Sequence, residues 1–310
     1  MSFSSEVKSE LSSLKLSSID AVKAECYGLM LFGRNFSEEK ISLRTESEAV
    51  ADRFIYLSTE LFKPLLEKRF LAPKTQSRKN LYTINFIDKS HCCDVYRSFG
   101  YIENVINLRI IQKNISGPRH ISDFLRGVFL SCGSISNPDK NYHLEWRVQY
   151  KALCKDLCDL LENIKETETI TPGVIKRNGR FIIYIKGSEQ IADLLTFMGA
   201  FTSSMTIMGT KAMKQVRNTV NRKTNSEIAN IKKTAKASAN QLKIIEKLIA
   251  QNKFQTLPKE LKEIARLRLD NPELSLSDLG KMIDPPISRS GVNHRLAKII
   301  EIANNIGVNT

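Results

Sequence analysis

Long apolar runs are missing from this 310-residue chain. No stretch approaches the ~18 consecutive apolar residues of a membrane-crossing helix, so no such span is expected. The opening Met1-Ser-Phe-Ser-Ser-Glu6 carries no basic region leading into an apolar one, which predicts a cytoplasmic protein rather than a secreted one. Metal-ligand spacing is missing as well. The histidines, His91, His120, His143 and His294, keep no ligand spacing with the six cysteines. Cys92 and Cys93 are adjacent, and Cys154 and Cys158 stand one helical turn apart in a leucine-rich segment. Free or buried thiols in a reducing compartment are therefore expected, with neither a disulfide framework nor a zinc site. No cofactor is expected. No phosphate loop and no convergent charged cluster along the sequence points to a small ligand.

Positive charge is abundant and unevenly placed. The formal net charge is +14. Residues 206–310 hold 19 Lys/Arg against 9 Asp/Glu, whereas residues 1–205 hold 28 against 24. Within 211–253 the ratio is 11 to 2. Such a block predicts contacts to nucleic-acid phosphates and salt-sensitive affinity. A membrane-surface helix would need an aromatic or long apolar face that the block lacks.

The last fifty residues read as a helix-turn-helix. Pro258 is placed at the first position of a helix, where its missing N–H costs nothing. Leu261, Ile264, Ala265 and Arg268/Leu269 follow at helical spacing, and Asn271-Pro272 ends the run. Ser275 is the expected N-cap of a short helix with Leu276, Leu279 and Met282 on its apolar face. Asp284-Pro285-Pro286 forms the turn, because two prolines cannot continue a helix. Ser288 then starts the last helix, with a core stripe of Val292, Leu296, Ile299, Ile300 and Ala303. The opposite face keeps Arg289, Ser290, Asn293, His294, Arg295 and Lys298, donors suited to base edges and phosphates in a major groove.

Roles follow from side-chain chemistry. Arg289 and Asn293, four apart, can address guanine N7/O6 and adenine N6/N7. Ser288 and Ser290 bring hydroxyls and helix N–H groups near a phosphate. Arg295 and Lys298 lie later on the helix and suit backbone phosphates. Gly291 would permit close approach to the groove, at a cost in helix propensity. Lys211, Lys214, Arg217, Arg222 and Lys223 form a second strip, either for auxiliary phosphate contacts or simply for the solubility of a long connecting helix.

The first two hundred residues repeat at an offset of 99. Gly28-Leu-Met-Leu-Phe-Gly33 faces Gly127-Val-Phe-Leu-Ser-Cys132, and Phe36-Ser37 faces Ile135-Ser136. Leu81–Phe86 falls on Arg180–Ile185, and Ser98-Phe-Gly100 on Phe197-Met-Gly199. Four matches in one register argue for two copies of one unit. Each copy alternates helices with short strands, and Asn178-Gly179 favours a tight hairpin turn. Gly28 and Gly127, at equivalent places on apolar helices, predict close helix packing at a pseudo-twofold axis.

These segments, Cys26–Arg34 and Leu125–Gly133, resemble the helices of the LAGLIDADG homing endonucleases, whose halves follow the order αββαββα. The fold class implied is α+β: a pseudo-twofold LAGLIDADG-like duplication followed by an all-α helix-turn-helix domain. Expected boundaries are 1–205 (halves about 1–105 and 115–205), a basic helical linker at 206–253, and the helix-turn-helix at 254–310. In that nuclease family the penultimate motif residue is an acid that holds a divalent metal. Here those degenerate metal positions are Gly33 and Cys132, which offer no carboxylate oxygen to a hard cation. Glu25, Glu38, Glu39 and Asp139 lie out of phase or beyond the helix end. The expectation is a protein with no catalytic residues and no metal. The outer strand surface of the second half, with Arg147, Gln149, Lys176, Arg177 and Arg180, reads as an auxiliary DNA surface or a platform for protein docking.

A catalytically blank domain of this kind, followed by a basic stretch and a helix-turn-helix, is similar to the WhiA family of bacterial regulators. The resemblance spans nearly the whole chain. It rests on Met1–Leu11, Leu125–Glu145, Asn218–Asn225, Glu227–Thr234 and above all Asp284-Pro-Pro-Ile-Ser-Arg-Ser-Gly-Val-Asn-His-Arg-Leu296. It implies a sequence-specific regulator of sporulation or cell division, bound to double-stranded promoter DNA on the nucleoid. It also implies, in some lineages, a WhiB-type iron–sulfur partner or an RNA polymerase partner. Two other classes compete: a residual homing nuclease, and a scaffold that mainly docks proteins with DNA binding secondary.

Overall fold

The computed structural model describes residues 2–72, 80–102, 107–117, 120–167 and 169–307. They fall into two compact units, Met1–Lys214 and Gln215–Thr310.

In the first unit, α1 (Phe3–Ser12) precedes two halves of one plan. The first half is α2 (Ile19–Leu31), β1 (Asn35–Phe36), β2 (Ile41–Thr45), α3 (Glu48–Phe62), β3 (Leu66–Leu71), β4 (Leu81–Phe86) and α4 (Lys89–Ser98). The second is α5 (His120–Cys132), β5 (Gly133–Ile135), β6 (Leu144–Val148), α6 (Lys151–Glu162), β7 (Gly173–Arg177), β8 (Arg180–Ile185) and α7 (Ser188–Met198). Each half carries an antiparallel four-stranded sheet, ordered β1-β2-β4-β3 in one and β5-β6-β8-β7 in the other. The duplication expected from internal matches is thus present as identical topology. The offset is not constant, however. It is 99 between β4 and β8 (Leu81, Arg180) but 103 between β2 and β6 (Ile41, Leu144) and between α3 and α6 (Glu48, Lys151). A longer connection between the second half's first two strands causes the slip.

Local chemistry explains the element ends. Ser18, Ser47 and Asp88 cap α2, α3 and α4 with side-chain oxygens that accept from backbone N–H groups. Asn178 and Gly179 both adopt positive φ (50° and 74°), as a two-residue hairpin turn between right-twisted strands requires. The corresponding connection of the first half, 73–79, lies outside the described residues.

At the centre, α2 and α5 pack with little between their backbones. A Cβ on Gly28 would lie 2.3 Å from the Phe124 carbonyl oxygen, and one on Gly127 2.1 Å from that of Glu25. No side chain fits at either place. One continuous core fills both halves around this pair, with Tyr27, Phe124, Phe129 and Trp146 fully buried.

A 50-residue helix, α8 (Phe201–Ala250), begins in the first unit. In the second unit its last turns contribute Ile244, Ile245 and Leu248 to a core shared with α9 (Lys259–Asp270), α10 (Leu276–Lys281) and α11 (Arg289–Asn305). The segment read from sequence as a linker therefore supplies part of the helix-turn-helix core. Pro258 stands one position earlier than expected, capping α9 with an extended backbone (ψ 152°) and a carbonyl that accepts from Leu261 and Lys262. Met282 does not line the apolar face of α10 but is exposed, because the helix ends at Lys281 and the turn that follows buries Ile283 instead. Arg268, placed in the apolar stripe by spacing, is indeed buried. It donates to the Leu274 carbonyl at 2.8 Å and so ties α9 to the loop before α10, while burial lowers its pKa.

Candidate nucleic-acid interface

The start of α11 is organised by Ser288, whose Oγ accepts from the Gly291 N–H at 3.2 Å. That cap uses the hydroxyl's acceptor side and leaves its proton free to donate. Val292, Leu296, Ile299 and Ala303 are buried, with Ile300 half-buried beside them. This stripe turns Arg289, Ser290, Asn293, His294 and Lys298 outward, all exposed. Arg295 differs: it is half-buried, and its guanidinium lies 3.4 Å from the Glu260 carboxylate on α9. Gly291 is unlike the glycines of α2 and α5, since a Cβ there would meet Ile287 and Ser288 atoms no nearer than 3.6 Å.

The second basic strip divides. Lys211 is ion-paired with Glu189. Lys214 donates to the Pro138 carbonyl at 2.7 Å and sits 4.8 Å above the Tyr142 ring. Both are thus engaged within the first unit. Arg217, Arg222 and Lys223 are exposed along α8.

The positions that carry the metal-binding acids in LAGLIDADG enzymes do not fit a hard cation. A Cβ on Gly33 would lie 3.0 Å from each of the Leu29, Met30 and Ser42 carbonyl oxygens, leaving little room for a longer side chain. Burial pushes the Cys132 thiol up to about 12, and its Sγ lies 3.5 Å from the Val128 carbonyl. Nearby, a protein cation has taken a carbonyl at the end of α5: the Lys8 ammonium donates to Leu130 at 3.0 Å. Among the described residues no cluster of His, Cys, Asp or Glu could hold a metal ion.

Glu25, out of phase for a metal in the sequence, has another task. It is fully buried on α2 and accepts from Arg53 of α3 at 2.7 and 2.9 Å and from Arg126 of α5 at 3.0 Å. Arg126 also donates to Asp123 at 2.9 Å and to the Met198 carbonyl at 2.8 Å. Burial raises the Asp123 pKa in spite of Arg126. This network joins four helices, α2, α3, α5 and α7, and consumes the acid whose carbonyl sits against Gly127. Its signal in the sequence is a glutamate and two arginines at helical spacing from apolar core residues, Glu25 with Val22 and Leu29, Arg53 with Val50 and Leu57, and Arg126 with Leu130.

No helix among the described residues is long and apolar enough to cross a membrane. All six cysteines are free.

Residues 121–217 match the model of the WhiA LAGLIDADG-like domain, and residues 220–303 that of the WhiA C-terminal HTH domain. A probable cell division protein WhiA from Clostridium beijerinckii is 35% identical over 317 residues, covering 99% of each chain. One of the same description from Clostridium novyi is 34% identical, covering 99% of this chain and 98% of its own. The crystal structure of full-length WhiA from Thermatoga maritima superposes with a TM-score of 0.60 at 27% identity, covering 98% of this chain and 99% of that one. With a mixed helix-and-sheet duplication, two glycine-packed central helices and a capped helix-turn-helix in that order along nearly the full length of such relatives, this chain belongs to the WhiA family.

Proposed function

We propose that this protein is a sequence-specific regulator of transcription that reads promoter DNA with α11 and cuts none. The observation that carries the reading is the outward row on α11. Arg289, Ser290, Asn293, His294 and Lys298 stand exposed above a fully apolar buried stripe, at the end of the helix that enters a major groove in proteins of this architecture. Arg289 and Asn293 read bases, and each bidentate contact is worth ~1–3 kcal/mol against a wrong base. Ser288, Ser290 and Lys298 hold phosphates. Arg295 serves as a phosphate contact only secondarily, because Glu260 competes for it. Arg217, Arg222 and Lys223 add sequence-independent attraction, with a smaller share from Lys211 and Lys214, whose groups are already partnered.

The relatives' description as probable cell division proteins supports a role in division; a share in the sporulation programme is what the family resemblance implies. A promoter-bound regulator of this kind works on the nucleoid, with a WhiB-type protein or RNA polymerase as a partner where the lineage provides one. The absence of carboxylates at Gly33 and Cys132, together with the commitment of Glu25 to two arginines, supports binding without cleavage. The test is selection from random duplex DNA by the purified full-length chain with Mg²⁺ present. Enrichment of one short site in uncut DNA is expected. A pool without enrichment would favour a protein-docking scaffold, and cut ends would overturn the non-nuclease reading. Asn293→Ala should weaken the selected site far more than scrambled DNA, and an equal loss on both would remove Asn293 from base readout.

A further inference from the structure

Where the two sheets of the first unit meet, beside Gly33 and Cys132, lies a cavity of about 1080 Å³. Five cations line it, Lys8, Arg34, Arg44, Arg147 and Arg180, against a single acid, Glu46. The arrangement follows from the duplication. Arg44 is the fourth residue of β2 and Arg147 the fourth of β6, separated by the same 103 residues as the strands themselves. On each strand the flanking residues are buried (Leu43 and Thr45; Trp146 and Val148), so the period of two turns both guanidinium groups to the outer face. The pseudo-twofold relation then places them on opposite walls of one groove. Gly33 and Cys132 line it as a second related pair, and Leu81 and Arg180 as a third.

Two features make this an anion site rather than a stretch of solvated surface. Among the described residues Arg34, Arg44 and Arg180 form no ion pair, whereas Arg147 donates to Glu145 at 2.8 and 3.0 Å, so a bound anion competes with that carboxylate for one cation and meets three without an acidic partner. Like charges gathered in a concave site with low-dielectric walls focus a positive potential. Ser131, also on the wall, has a hydroxyl buried from solvent with no hydrogen-bond partner, a group that a bound acceptor would satisfy.

The surroundings fit a compact ligand better than a duplex. Ser2, Ser4, Ser5 and Lys8 of the α1 segment form part of the wall, so the groove is not open sheet alone. On the groove face the edge strands add Leu71 beside Arg69 on β3 and Ile175 beside Arg177 on β7, all exposed. The volume is near the upper end of ordinary small-molecule sites.

We propose that this groove binds a phosphorylated small molecule of nucleotide size, with two or more phosphate groups held between Arg44 and Arg147. Guanidinium groups suit this task through paired N–H···O contacts to phosphate oxygens.

The experiment uses the full-length protein and four probes: ATP, inorganic pyrophosphate, adenosine, and a short duplex of scrambled sequence. Calorimetric titration should show one saturable site per chain for ATP or pyrophosphate, and none for adenosine. The double variant Arg44→Ala/Arg147→Ala should weaken it at least ~10-fold, as expected for lost charge-assisted bonds, while Asn293→Ala leaves it unchanged. Both arginines are exposed, and a thermal melt of the variant checks that the fold persists. No saturable binding of either phosphate probe at ~1 mM would overturn the proposal, as would binding indifferent to the double variant. If the double variant instead weakened the duplex while ATP and pyrophosphate failed to compete, the groove would be a DNA surface and the small-ligand proposal would fall.

Discussion

Arginine does opposite work around α5 and on α11. Around α5, Arg53 and Arg126 are buried and spend their donors on Glu25, Asp123 and a backbone carbonyl. On α11, Arg289 stands in solvent at the helix start with Asn293 and Lys298 beside it. Glycine divides in the same way. Gly28 and Gly127 occupy a contact where a Cβ would overlap backbone, whereas Gly291 has open surroundings. A residue type alone therefore does not declare its job. What decides is whether the neighbouring stripe is apolar on all sides, as in α5, or on one side only, as in α11.

That contrast can be broken by mutation, and the largest effect should come from Glu25→Ala. It leaves the buried Arg53 without a carboxylate and Arg126 with Asp123 alone, and removal of one partner from a buried pair costs about 3–5 kcal/mol. Chemical denaturation of the full chain should show this as an early transition of the first unit. A loss under ~1 kcal/mol would mean the network is dispensable.

Gly127→Ala comes next. The added methyl meets the Glu25 carbonyl at 2.1 Å, so α2 and α5 must part, at a cost toward the upper end of the ~1–3 kcal/mol typical of overpacking. The same denaturation measurement checks it, and an unchanged midpoint would refute the close-contact account.

Arg289→Ala should leave stability within ~0.5 kcal/mol, since the side chain is exposed, yet cost ~1–3 kcal/mol in discrimination between the selected site and a single-base variant. Competition binding at fixed salt measures this. A large stability change would show that the residue is structural after all.

The smallest effect sharpens the glycine half of the comparison. Gly291→Ala should raise stability by ~0.5–1 kcal/mol, because its surroundings admit a methyl and the helix gains propensity. If Gly291 also serves close approach to DNA, the same variant binds the selected site less well. Thermal melting and DNA titration of one protein separate the two consequences.

Much of the architecture was legible along the chain. Ser275 and Ser288 were readable as caps because an N-cap is a local event: one oxygen, one N–H, three residues apart. The Asn178-Gly179 turn and the one-sided stripe of α11 were readable for the same reason. The outward residues of α11 were therefore identified individually, although the half-burial of Arg295 beside Glu260 depended on where α9 packs. Met282 was misplaced because α10 is too short for its periodicity to extend past Lys281.

By itself, the sequence determined the two-part organisation, the duplication, the glycine pair and the capped helix-turn-helix, since each is written in composition or in spacing within a few residues. Only the tertiary structure decided that Glu25 belongs to Arg53 and Arg126, and that Arg44 and Arg147 share one groove. Those partners lie 28, 101 and 103 residues apart, and their meeting depends on how closely α2 and α5 approach and on a slip in the repeat offset. Long-range electrostatic pairing depends on distance in space, and chain separation carries no record of it.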